Sequence, residues 1–129
     1  MSPKNTVAPR PLLCLPEIIN KFEDVSSGFI NIYKVLDNDL NRSDIFIPFL
    51  NSMLKLQASI SFTGNSYHTE SEAAAIALES ITEVRQQLVI IVKSNLVAAS
   101  LTDPMIRDCE TLSGMIEAYI EENREMSVG

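Results

Sequence analysis

The chain contains no tryptophan and only four glycines in 129 residues. That scarcity argues against an all-β sandwich, which needs glycine at many tight turns. Histidine is nearly absent too: His68 is the only one, and it reads as an exposed loop residue. No Cys-x-x-Cys, His-x-x-x-His or Glu-x-x-His pair occurs. Neither a zinc site of local spacing nor a di-iron carboxylate bundle of the familiar type is therefore encoded. There is no Gly-x-Ser-x-Gly elbow and no glycine-rich phosphate loop, so no cofactor is expected. Carboxylates do lie one helical turn apart at Glu79 and Glu83 and at Glu121 and Glu125. They flank apolar stripes and read as surface charges, with no physical reason for an acid–base pair.

Basic residues are few. Ten Lys and Arg face seventeen Asp and Glu, for a formal net charge of −7. Much of the excess lies after Leu101, where Asp103, Asp108, Glu110, Glu117, Glu121, Glu122 and Glu125 outnumber Arg107 and Arg124. Such a surface repels polyanions, so neither nucleic acid nor an anionic membrane is an expected partner. The acidic end itself reads as a solvated helix face. The longest apolar run, Leu88 to Val92, is far too short for a transmembrane segment. Met1 to Leu15 shows no secretory signal, because the apolar stretch Leu12 to Leu15 is short and surrounded by prolines. A cytoplasmic location is the expectation that follows. The two cysteines decide little: Cys109 fits a buried free thiol in a helix, with a bridge to Cys14 as the alternative. Asn41-Arg42-Ser43 is a lone glycosylation sequon.

What is present is periodicity. Hydrophobic residues make up 46% of the chain and charged residues 21%, the balance of one globular domain. From Ile18 the apolar positions are Ile18, Phe22, Val25, Phe29, Ile32 and Leu36, in alternating steps of four and three. That spacing lays them along one stripe of an α-helix. Pro16 suits its first turn. The Ser26-Ser27-Gly28 stretch weakens its middle and suggests close approach by a neighbouring helix. A second stripe runs through Phe46, Phe49, Met53, Leu56 and Ile60, and a third through Ala74, Ala77, Ile81, Val84, Leu88 and Ile91. Thr69 and Glu72 stand in the spacing of a capping box at the start of the third. A fourth carries Met105, Cys109, Leu112, Met115, Ile116 and Tyr119, with Thr102-Asp103-Pro104 as its start signal. The spacings predict an all-α, four-helix antiparallel, up-and-down bundle over 16–125, preceded by an extended N-terminal arm over 1–15. The expected helices are about 16–40, 44–62, 70–99 and 103–122.

Two features point beyond the core. Leu88-Val89-Ile90-Ile91-Val92 covers the whole circumference of a helix. If Leu88, Ile91 and Val92 belong to the stripe, Val89 and Ile90 point elsewhere: into extra core contact, toward another subunit, or toward an apolar ligand. They are the candidate interaction surface. Phe22, Phe29, Phe46 and Phe49 concentrate in the first two helices and are the candidate lining of an apolar pocket. Asn95 continues the third stripe, either as a buried amide fixing register or at the edge of a drifting seam.

The stretch from Ile81-Thr82-Glu83-Val84 through Val92-Lys93 to Leu101 and Leu112 resembles the fungal hydrophobic surface binding protein A, or cell-wall galactomannoprotein, family. The resemblance spans about half of the chain and rests on helical pattern. It implies amphipathic helices that bind apolar surfaces or fatty acids, and it assigns no residue roles.

Three functions are therefore expected in order. The first is a non-enzymatic helical module that associates with a protein partner or with itself, as a homo-oligomer, through apolar helix surface. The second is a carrier of a lipid-like ligand held between the helices. The third is a small helical enzyme, which requires polar groups converging in a cleft.

Overall fold

The computed structural model of the chain describes residues 15–36, 43–61 and 70–128. They fold as four α-helices: α1 (Pro16–Leu36), α2 (Ser43–Ile60), α3 (Glu70–Lys93) and α4 (Ala99–Val128). Helix α1 packs on α4, α4 on α3, and α3 on α2, while α1 and α2 close the ring with the smallest contact of the four. Cross-helix contacts give the directions. Phe29 meets Phe49 and Tyr33 meets Phe46, so α1 and α2 run oppositely. Lys21 of α1 reaches Asp108 of α4, and Gly28 lies against Met105, so these two are antiparallel as well. The fold is an all-α, antiparallel four-helix bundle.

The stripes supply the core. Ile18, Val25, Ile32 and Leu36 of α1 are buried, as are Phe49, Met53, Leu56 and Ile60 of α2. Helix α3 contributes Ala74, Ala77, Ile81, Val84, Leu88 and Ile91, and α4 contributes Met105, Cys109, Leu112, Ile116 and Tyr119. Burying each of the larger side chains stabilises the fold by about 1.5–3 kcal/mol. Small residues set the helix spacing. A Cβ on Gly28 would come within 2.9 Å of Met105 Cγ, so only glycine lets α4 approach α1 there. On α2 and α3, Ser52, Ser59, Ala73 and Ser80 are all buried, and this pair of helices makes the most extensive contact in the molecule. The serine hydroxyls are satisfied within their own helices, donating to the carbonyls of Pro48, Lys55 and Ile76.

Three helix ends differ from the sequence expectation: the end of α3 and both ends of α4. Helix α1 begins as expected, with Leu15 as its cap and Pro16 in the first helical position. The Leu15 carbonyl accepts from both Ile18 and Ile19 at 3.1 Å. Helix α3, expected to run to Ala99, ends at Lys93. Asn95 takes a left-handed φ of 58°, its N–H donates to the Val92 carbonyl at 3.0 Å, and the Leu96 N–H reaches the Ile91 carbonyl at 3.3 Å. These two bonds are a Schellman cap, with Leu96 returning to pack on the core beside buried Ile91. Asn95 is thus an exposed helix stop rather than a buried amide. Helix α4 correspondingly starts at Ala99, one turn earlier than the Thr-Asp-Pro signal suggested. Ala98 accepts from the Leu101 N–H at 3.0 Å, and Thr102 is a buried residue whose hydroxyl donates to the Ala99 carbonyl. Pro104 falls in the second turn, where it cannot donate to the Ser100 carbonyl. At its far end α4 continues to Val128 instead of fading after Glu121, carried by the helix-favouring run Glu121-Glu122-Asn123-Arg124-Glu125-Met126.

Cys14, Asn41, His68, Thr69 and nearly all of the expected N-terminal arm lie outside the described residues. So does the expected extension of the first helix beyond Leu36.

Candidate interaction surface

Val89 and Ile90 are 43% and 44% exposed, whereas Leu88 and Ile91 on either side of them are fully buried. The circumferential run therefore splits into a core half and a surface half, and Val89 and Ile90 add nothing to the core of this chain. Consecutive helical residues diverge by about 100°, so these two do not form one flat patch. Their neighbours a turn away include Arg85, Gln86, Gln87 and Lys93.

A broader apolar surface lies over α1 and α2. Ile47 and Leu54 are each 52% exposed and Ile30 is 50% exposed, with Tyr33 also exposed. Ile47, half-buried Leu50 and Leu54 share one face of α2 by their spacing of three and four, and Ile30 and Tyr33 are neighbours on α1. The seam beneath is aromatic. The Phe29 and Phe49 rings lie 5.0 Å apart, as do those of Tyr33 and Phe46, and Phe29 approaches Tyr33 at 6.2 Å. Bulky rings between the helices explain why α1 and α2 make the smallest contact in the ring. Of the four phenylalanines proposed as pocket lining, three join this ladder. Phe49 is fully buried, Phe29 and Phe46 are half-buried, and Phe22 packs half-buried against the core further along α1.

This surface is also uncharged. No charged residue occurs from Val25 to Tyr33 or from Ile45 to Leu54, and the ring contacts set these two stretches side by side. The other seams are clamped by ion pairs: Lys21 with Asp108 between α1 and α4, Lys55 with Glu83 at 2.6 Å between α2 and α3, and Arg85 with Glu110 at 3.0 Å between α3 and α4. Each is solvent-exposed to some degree and screened by water, so they align helices more than they hold them. The Lys55 ammonium is held protonated above its ordinary range by its hydrogen bond to Glu83, and Lys21 likewise by Asp24 and Asp108.

A groove of about 550 Å³ between α3 and α4 has Ala75, Leu78 and Ile120 along it, with Glu79, Glu117 and Glu121 at its rim. All three carboxylates are exposed. Their charge opposes entry of a fatty-acid carboxylate. Among the described residues no group of three His, Cys, Asp or Glu side chains is placed to hold a metal ion. Cys109 is a buried free thiol in the core, its pKa pushed up to about 12 by burial, so at neutral pH it is not a thiolate nucleophile. Among the described residues no helix is long and apolar enough to cross a membrane.

The Val89–Ile90 surface was readable from the run of five apolar residues. The α1–α2 surface was not, because Leu50 and Leu54 adjoin the second apolar stripe in the sequence, and only the packing shows that Leu54 and Ile47 face out. The chain matches no protein-family model, no curated protein and no solved structure.

Proposed function

We propose that this chain is a non-enzymatic helical module that works by protein–protein association through apolar helix surface. The carrying observation is that Ile30, Tyr33, Ile47 and Leu54 stay exposed on two adjacent helices whose own cores are already filled. Large apolar side chains left in water on one side of a small bundle favour burial against another apolar surface. Val89 and Ile90 on α3 are exposed as well, but they diverge by about 100° and form no such continuous face.

A second reading, a carrier of a lipid-like ligand, draws on the widely spaced, ring-filled seam of α1 and α2. It would require the ladder of Phe29, Tyr33, Phe46 and Phe49 to part, breaking ring contacts worth about 0.5–1.5 kcal/mol each.

Native mass spectrometry of the purified full chain separates the two readings. Association predicts chain–chain species that grow with concentration and carry no added small mass. A single chain bearing a lipid-sized adduct, with no chain–chain species, would replace the first reading by the second.

A further inference from the structure

Charge is segregated on this molecule. No Lys, Arg or His occurs from Glu70 to Val84 on α3 or from Asp108 to Glu122 on α4, and both stretches are rich in acid. The two stretches face each other. Arg85 pairs with Glu110 at one end, and the α3–α4 groove brings Ala75 to Thr82 beside Glu117 to Glu121 at the other. The floor of that groove is apolar, made by Ala75 and by half-buried Leu78 and Ile120. Ala75, Leu78 and Thr82 follow one another at helical spacing, so the floor runs for about 10 Å, two turns of helix. Carboxylates flank it on both sides: Glu79 on the α3 wall, and Glu117 and Glu121 on the α4 wall. None of the lining residues is basic. Lys55 of α2 also feels the charge of Glu79, but its ammonium is hydrogen-bonded to Glu83. A cleft whose walls carry one sign of charge focuses its field more strongly than the same carboxylates spread over a convex surface.

Floor and rim together select the occupant. A fatty acid suits the floor and is repelled by the rim. A polycation without apolar side chains suits the rim and leaves the floor wet. A second copy of this chain brings a net charge of −7 to an acidic groove. We propose that the α3–α4 groove docks an amphipathic helix of a protein partner, one with an apolar stripe about two turns long and Lys or Arg on both flanks of that stripe. The stripe lies on Leu78 and Ile120, and the flanking cations reach Glu79 on one wall and Glu117 and Glu121 on the other. The long stems of Lys or Arg cover the edges of the floor while their charged ends stay at the exposed rim. Pairs at such a rim are screened by water, so charge steers and orients the helix while the buried stripe holds it. This surface is separate from the α1–α2 face, and neither depends on the other.

Isothermal titration of the full chain with a synthetic peptide tests this. The peptide has about 15 residues, enough for a helix, with a leucine stripe flanked by lysines. It is expected to bind, about tenfold more weakly when salt is raised from 50 to 300 mM, whereas the same peptide with glutamate for lysine does not bind. A scrambled peptide of equal composition, which keeps the charge but loses the stripe, binds at least about tenfold more weakly. Glu79→Lys with Glu117→Lys reduces binding by at least about tenfold. Glu23→Lys with Asp103→Lys makes the same change in net charge at exposed positions outside the groove, and binds as the natural chain does. Ala75→Phe fills the floor without touching the charge, and also weakens binding. Far-ultraviolet circular dichroism checks that each variant keeps its helices, and Glu79→Gln with Glu117→Gln serves if the lysines disturb them. No binding of the lysine peptide overturns the proposal. Equal binding of the scrambled peptide, or equal loss in the two lysine double variants, overturns it too, because attraction to net charge then explains everything. Loss only in Ile47→Gln with Leu54→Gln overturns it by placing the peptide on the α1–α2 face, and leaves the association reading of that face standing.

Discussion

Two glycines in helices carry opposite expectations. Gly28 lies where Met105 Cβ and Cγ would sit 3.0 and 2.9 Å from an added Cβ, while nothing lies within 4 Å of one at Gly114. An alanine gains about 1 kcal/mol of helix propensity over glycine at either site. At Gly28 the forced overlap costs about 1–3 kcal/mol, so Gly28→Ala is expected to destabilise by roughly 1 kcal/mol net. Gly114→Ala is expected to stabilise by about 0.5–1 kcal/mol. Urea unfolding of both variants checks the pair, and equal effects would mean that α1 and α4 do not approach as closely as described. Cys109 makes a separate, pH-dependent contribution. Its folded pKa is raised to about 12 by burial, above its unfolded value. The folded state therefore keeps the thiol proton while the unfolded chain releases it, so stability is full below the unfolded pKa and declines above it. Between pH 8 and pH 10 the natural chain should lose on the order of 1 kcal/mol relative to Cys109→Ala, which has no thiol to titrate. A pH-independent difference between the two would contradict that burial.

At the scale of the helix, the cap at Asn95 is the sharpest test. Its φ of 58° is costly for a residue with a Cβ, and Asn is among the few that tolerate it. Asn95→Ala is expected to destabilise by about 1 kcal/mol and Asn95→Gly to be neutral or mildly stabilising. Thermal melts that ranked alanine above glycine would argue that α3 continues past Lys93. The same residue explains where the sequence was readable and where it was not. The stripe Ile18, Val25, Ile32, Leu36 reads directly as a buried helix face because its period is a local property. The stop at Asn95 does not, since Leu96 and Val97 prolong the apolar spacing and no glycine or proline marks the break. The start of α4 was displaced for a related reason: Thr-Asp-Pro has the chemistry of a cap, yet Thr102 is buried inside the helix. Proline is tolerated in early helical turns, so Pro104 bounds the start without setting it.

For the whole molecule, the ring of helices leaves one seam widely spaced and filled by rings, and α1 and α2 on either side of it carry the uncharged stretches. Sequence periodicity could locate the phenylalanines of that seam but not their relations. That Phe29 meets Phe49 at a tilt while Ile30 and Ile47 stay outside depends on which helices become neighbours and how far apart they sit. The Val89–Ile90 surface was readable because a fivefold apolar run exceeds what one buried stripe can hold. Charge segregation is a whole-molecule property as well: the acidic tally was visible in the chain, but its position diagonal to α2 needed the fold. The central claim is that the α1–α2 face is the association surface. The most direct test is a dilution series of the 15N-labelled chain followed by amide chemical shifts. Shifts that change on dilution only within 26–36 and 45–54 are the predicted result. Shifts confined to residues around Val89 and Ile90, or no shifts at any concentration, would contradict it.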